Sequence, residues 1–214
     1  MLLAAPWIFA ALASPAAFAA PDATGTCRVI VVGYTGGLET PNTSYSGVRR
    51  ILHRVEKLNY PGLCARTFSA YRWWMADDWV RAQFGATGDA PLTPQQIANG
   101  PKVILYGHSF GGWATMWLAR TLAHDGVPVE LTVQVDSVGL TDKTVPPNVK
   151  EAANYYEKDT FILRGRYRIR VHDDKKTKLL GNFQVPGAVH TNIARTPEIA
   201  DLIVNKVQTI YEDP

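Results

Sequence analysis

Apolar runs alternate with amphipathic stretches along most of the chain. Residues 28–32 are nearly continuous in Val and Ile, the pattern of a strand covered on both faces. Over 46–58, Val48, Ile51, Leu52, Val55 and Leu58 recur at helical spacing, and Asn59-Tyr60-Pro61-Gly62 stops that helix. A second strand is predicted over 65–69. An aromatic segment follows from Tyr71 to Trp79, partly helical as far as Phe84. Residues 85–100 are polar, with a short helix around 93–98. A third strand over 103–106 leads into an apolar helix over 113–123 that ends at Gly126, and a fourth strand covers 129–135. Pro146-Pro147 opens a predicted helix carrying Val149, Ala152, Ala153 and Tyr156. A fifth strand over 161–163, a hairpin excursion over 164–180 and a sixth strand over 179–185 come next. Thr196 caps and Pro197 opens a last helix, with Ile199, Leu202, Ile203, Val207 and Ile210 on one face. This alternation predicts right-handed βαβ crossovers and a mostly parallel sheet of about six strands, with helices on both faces in three layers.

Composition narrows the reading. The chain has 214 residues, 46% hydrophobic and 19% charged, which suits one domain with a sizeable core and is too short for two ordinary ones. Net charge is +3, and no basic stripe interleaved with aromatic residues suggests a nucleic-acid binder. Residues 2–13 form an uncharged apolar run, and Ala17-Phe18-Ala19 has the small-x-small pattern of a cleavage site. Residues 1–20 therefore read as a secretory signal and 21–214 as a single domain, exported to a periplasmic or extracellular space with no stable membrane insertion after signal removal. An uncleaved anchor is the alternative, which Pro6 and Pro15 weaken. Cys27 and Cys64 each precede a predicted strand. If those strands are parallel neighbours, the two cysteines meet at one sheet edge and a disulfide is expected; otherwise they are buried thiols.

The chemistry concentrates at Gly107-His108-Ser109-Phe110-Gly111-Gly112, a G-x-S-x-G pattern between a strand and a helix. With no room for a relaxed loop, Ser109 must sit on a sharp turn that exposes Oγ at the carboxyl edge of the sheet. His108 is read as serving the turn through its backbone and not its ring. With Val32-Gly33-Tyr34-Thr35-Gly36-Gly37 at the end of the first strand and a late His190, the chain resembles the α/β-hydrolase superfamily, on its lipase, esterase and thioesterase side. It is small for that family and lacks the counterpart of its first two strands. The resemblance implies the α/β-hydrolase fold, Ser109 as nucleophile and His190, between the last strand and last helix, as base. The acid falls to Asp136, which ends the strand after the elbow's helix, with Asp173 or Asp174 as the alternative. Family position also implies an oxyanion hole from the amides of Phe110 and Tyr34, with Thr35 in reserve.

Other features stay open at this level. Tyr71, Trp73, Trp74 and Trp79 either line an acyl pocket or cover a helix–sheet seam. Arg164, Arg166, Arg168 and Arg170 alternate with Tyr167, Ile169 and Val171, as in a solvated edge strand. No metal-ligand spacing and no phosphate-binding glycine fingerprint stands out, so neither metal nor cofactor is expected. The expected activity is hydrolysis of a carboxylic ester or thioester, of a small molecule or a lipid, through an acyl-enzyme. An acyltransferase with the same triad, or a non-catalytic ligand-binding protein of this fold, are the alternatives. The sequence leaves oligomeric state open.

Overall fold

The computed structural model describes residues 27–213 apart from Leu38, Ser44 and Ile162; the expected signal over 1–20 lies outside the described residues. The apolar runs become strands because each buries side chains on both faces. In chain order the elements are β1 (Val29–Thr35), α1 (Gly47–Glu56), β2 (Leu63–Ser69), α2 (Trp74–Gln83), α3 (Pro94–Ala98), β3 (Lys102–His108), α4 (Phe110–His124), β4 (Val129–Val135), β5 (Thr144–Val145), β6 (Val149–Tyr156), β7 (Arg170–Val171), β8 (Lys178–Gln184) and α5 (Pro197–Glu212). Six strands form one sheet in the order β2-β1-β3-β4-β6-β8, all parallel, and β5 and β7 form a two-residue parallel pair.

Helices cover both faces. Ala114, Leu118 and Leu122 of α4 and Val80 of α2 pack with Ile30, Val32, Val103 and Leu105 on one side. Val48, Ile51 and Val55 of α1 and Ile199, Ile203 and Val207 of α5 pack with Val29, Val31, Ile104 and Val133 on the other. Every residue of β1 and β4 is buried: β1 opens on the unbroken apolar run 29–32, whereas β4 alternates Val or Leu with Glu130, Thr132 and Gln134, which are buried as well. Each fully buried side chain of this size contributes about 1.5–3 kcal/mol. Among the described residues no helix is long and apolar enough to cross a membrane.

Cys27 and Cys64 form a disulfide, with Cα atoms 5.7 Å apart. It ties the entry of β1 to β2, at the end of the sheet opposite Ser109.

Three predicted elements are wrong. Residues 149–156 form strand β6 and not a helix. Val149, Ala152, Ala153 and Tyr156 match helical spacing, yet Ala152 packs into one face of the sheet and Ala153 into the other. The two prolines instead open a turn, closed where the Val149 amide donates to the Pro146 carbonyl. Phe161 and Leu163 lie outside any strand and are exposed. Residues 164–180 are not a hairpin, because β7 pairs with β5 and the chain then enters β8 in parallel with β6. The arginine alternation is not a solvated edge strand either. Arg166 donates from Nε and Nη2 to Oδ1 of the fully buried Asp142, at 3.1 and 2.8 Å. Thr196 stands at the amino-terminal cap of α5, but its side chain makes no capping bond.

Candidate active site

The elbow is built by close approach. A Cβ on Gly107 would lie 2.2 Å from the Gly111 carbonyl oxygen, and one on Gly111 would lie 2.2 Å from that of Tyr34. The glycines therefore let strand and helix touch, while the sharp bend falls on Ser109 itself, with φ 57° and ψ −126°. The elbow is pinned to β4: the Ser109 amide donates to the Val135 carbonyl at 3.0 Å, and the Val138 amide donates to that of Ser109 at 3.1 Å.

Ser109, His190 and Asp136 come together. Ser109 Oγ lies 2.9 Å from His190 Nε2, and His190 Nδ1 lies 2.6 Å from Asp136 Oδ2. A carboxylate can only accept, so Nδ1 carries the proton and Nε2 is left to accept from the serine hydroxyl. All three residues are buried, Asp136 completely. Asp136 follows β4 with φ 44°, its amide donating to the Tyr155 carbonyl. Gly165 passes so close that a Cβ there would sit 2.3 Å from Asp136 Oδ1. Asp173 and Asp174 belong to the turn before β8, where the Asp173 carboxylate accepts from the Lys175 amide.

The ring of His108 is used. Its Nε2 donates to the His190 carbonyl at 2.7 Å, and the two imidazole centroids lie 4.9 Å apart. Burial, then the neighbouring His190, lower its pKa from 6.5 to about 4, so it stays neutral. Its Nδ1 is buried without a partner. Sequence gave no sign of this, because the bonded carbonyl lies 82 positions away.

Glu157 was missed as well. It follows β6 directly, is fully buried, and its Oε2 accepts from the Asp159 and Thr160 amides at 2.6 and 2.8 Å. Thr160 Oγ1 in turn accepts from the His190 amide at 2.9 Å. The signal existed, a glutamate at the end of a strand, but the segment read as a helix. Asp136, Glu157 and His190 offer donor atoms within 4.8 Å of one another, the one group among the described residues with metal-binding spacing. His190 Nδ1 and Asp136 Oδ2 are already bonded to each other, so the cluster fits a proton better than an ion.

Phe110 opens α4, and its side chain stacks on Tyr71 with centroids 6.2 Å apart. Tyr34 lies inside the β1 ladder, opposite Phe68 and Gly107, and its hydroxyl donates to the Trp73 carbonyl. Thr35 is the last residue of β1, and Gly36 passes beside the serine, where a Cβ would sit 3.3 Å from Ser109 Cβ. The tryptophans divide. Trp79 packs on Phe68 and Trp73 on Trp117, covering a seam, whereas Trp74 is half exposed.

No family model matches the sequence. No curated protein matches it significantly. Solved structures match the whole architecture at low identity. Est1E from Butyrivibrio proteoclasticus aligns with a TM-score of 0.51 at 8% identity, over 88% of this chain and 92% of its own. A protein from Xanthomonas campestris described as a hydrolase of the α/β superfamily aligns with a TM-score of 0.51 at 13% identity, over 85% and 99%. The dienelactone hydrolase from Anabaena variabilis aligns with a TM-score of 0.52 at 14% identity, over 85% and 86%. With its parallel sheet, flanking helices and strand–serine–helix corner, the chain has the fold of the α/β-hydrolase superfamily.

Proposed function

We propose that this protein is an exported serine hydrolase acting on carboxylic ester or thioester bonds. The observation that carries the reading is the continuous hydrogen-bonded line from Ser109 Oγ through His190 to Asp136, at 2.9 and 2.6 Å. Ser109 attacks the carbonyl carbon as His190 Nε2 takes its proton. Asp136 holds the imidazole in the required tautomer and stabilises its charged form. The Phe110 amide, at the start of α4, stabilises the oxyanion together with an amide at the exit of β1. For that second donor the family position implies Tyr34, with Thr35 in reserve. The ladder pairing of Tyr34 and the approach of Gly36 to Ser109 favour the loop side of this pair. His190 then protonates the leaving group, and a water activated by the same nitrogen releases the acid from the acyl-enzyme.

Apolar side chains support an acyl substrate. Tyr71, Trp74, Met75 and Phe110 are exposed on the α2 side, and Phe161 and Leu163 in the loop after β6, whose Thr160 bonds the His190 amide. The dienelactone hydrolase among the structural neighbours supports an ester-class bond. Export rests on the signal-like residues 1–20 and agrees with the disulfide. A fluorophosphonate should label Ser109 covalently, and the labelled protein should lose hydrolysis of short p-nitrophenyl esters and thioesters. Folded wild-type protein that is neither labelled nor active would overturn the reading.

A further inference from the structure

His190 faces two buried carboxylates. Asp136, at the end of β4, is bonded to Nδ1. Glu157, at the end of β6, brings a carboxylate oxygen within 4.8 Å of both the His190 ring and Asp136. Both acids are fully buried. Glu157 differs in its partners. Oε2 takes the two amides of the turn that follows, and Oε1 is buried without a partner. An unpaired buried oxygen on an anion is costly and demands an explanation.

Among the described residues no nearby cation supplies one. Arg166 is bonded to Asp142, Arg164 donates to the Thr160 carbonyl, and Lys158 sits over the rings of Tyr156 and Tyr167. Asp159 accepts from the Gly187 amide. His108, the remaining titratable neighbour, stays neutral and turns its N–H to the His190 carbonyl. The positive charge that reaches this pocket is the one His190 acquires when it takes the serine proton.

We propose that Glu157 is a second acid for His190: with Asp136 it forms a carboxylate pair that stabilises the imidazolium, and it takes over that role when Asp136 is removed. The inference rests on the serine-hydrolase reading. Two anions flank a ring that is neutral in the resting state and charged in the transition state, so their attraction is greatest where it lowers the barrier. The turn that Glu157 shares with Thr160 fixes the His190 backbone at the same time. No new step is added: the proton still moves from Ser109 Oγ to Nε2 and on to the leaving group.

The rate of fluorophosphonate labelling tests this without a known substrate. In a triad with a single acid, losing that acid costs roughly 10⁴-fold. Asp136→Ala should here cost only about 10–100-fold, and adding Glu157→Gln should bring the loss to the single-acid level. Glu157→Gln alone should move the acidic limb of the labelling rate to lower pH by roughly half a unit, since one anion no longer favours the charged ring. A purely structural Glu157 would leave that limb in place. Asp136→Ala losing about 10⁴-fold overturns the proposal even where Glu157→Gln does not fold. Equal rates for Asp136→Ala and the double variant do so as well. Failure of the wild type to label refutes the hydrolase reading instead.

Discussion

The two halves of the sheet position their contributions to the site by different means. On the β2-β1-β3 side the strands are joined by helices, and β1 is buried from end to end. Ser109 and the β1 exit owe their places to ladder register and glycine contacts. On the β4-β6-β8 side the crossovers over 136–148 and 157–177 contain no helix. There, single side chains hold the backbone. Glu157 accepts from the amides of 159 and 160, Asn182 Oδ1 from the Ile169 amide at 2.7 Å, and Asn154 donates to the Arg166 carbonyl at 2.9 Å. Ser109 thus rests on repeating geometry, and His190, Asp136 and Glu157 on a set of individual bonds. Regular structure tolerates change at many positions, whereas a bonded loop fails at one.

The largest expected effect asks whether the halves form one device. Ser109→Ala and His190→Ala should each lower kcat/KM by about 10⁶-fold, and the double variant should be no worse, because the two act as a unit. A double variant worse by a further thousandfold would break the picture, with circular dichroism showing that each variant folds.

The disulfide separates stability from chemistry within the first half. Its cysteines are 37 positions apart, so replacing both by serine should cost about 4 kcal/mol in the chain-entropy account. Urea unfolding measures that loss, and kcat should stay within about twofold, since the bridge lies at the far end of the sheet. His108 joins the halves. Its pKa is lowered in the folded protein, so the unfolded chain takes up a proton near 6.5 and the folded protein only near 4. Stability should therefore fall by roughly 3 kcal/mol as pH falls through that window. His108→Gln, which keeps a donor for the His190 carbonyl, should flatten the dependence.

Asp77 should show the smallest effect, with the opposite slope. Burial raises its pKa from 3.8 to about 6, against the opposing pull of Arg81. The folded protein holds that proton after the unfolded chain has lost it, so stability falls as pH rises through this interval. Because the group is only partly buried, the cost at neutral pH is discounted to on the order of 1 kcal/mol. Asp77→Asn should recover it at pH 7 and change nothing at pH 3, in paired urea melts.

The same division governs what was legible. Val29 to Val32 announce a strand as an unbroken apolar run, and Val129 to Val135 announce one by strict alternation, Val or Leu at every second position with Glu130, Thr132 and Gln134 between them. The serine corner shows as local spacing, and His190 and Asp136 lie at strand ends that their order identifies. β6 is illegible because its adjacent pairs Lys150-Glu151 and Ala152-Ala153 break that alternation. Lys150 pairs with Glu130 and Glu151 with Lys206, partners that sequence does not reveal. With β6 hidden, Glu157 is hidden too, and Phe161 and Leu163 in the loop after it imitate a strand. The His108 ring was invisible for a related reason, its partner being a backbone carbonyl in another half of the molecule.

Among the described residues, Asn59, Ser109 and Asp136 are the non-glycine residues with positive φ. Asn59 serves a turn, where asparagine is at home. The other two hold conformations that cost on the order of 1–3 kcal/mol each, and glycine would relieve both. In the proposed hydrolase, the need for a hydroxyl and a carboxylate at those points opposes the relief. A lineage that kept this fold but abandoned the reaction would drift to glycine at 109 and 136 and grow more robust as it did so. Serine and aspartate held at these corners are then a mark of use, visible in any relative before its substrate is known.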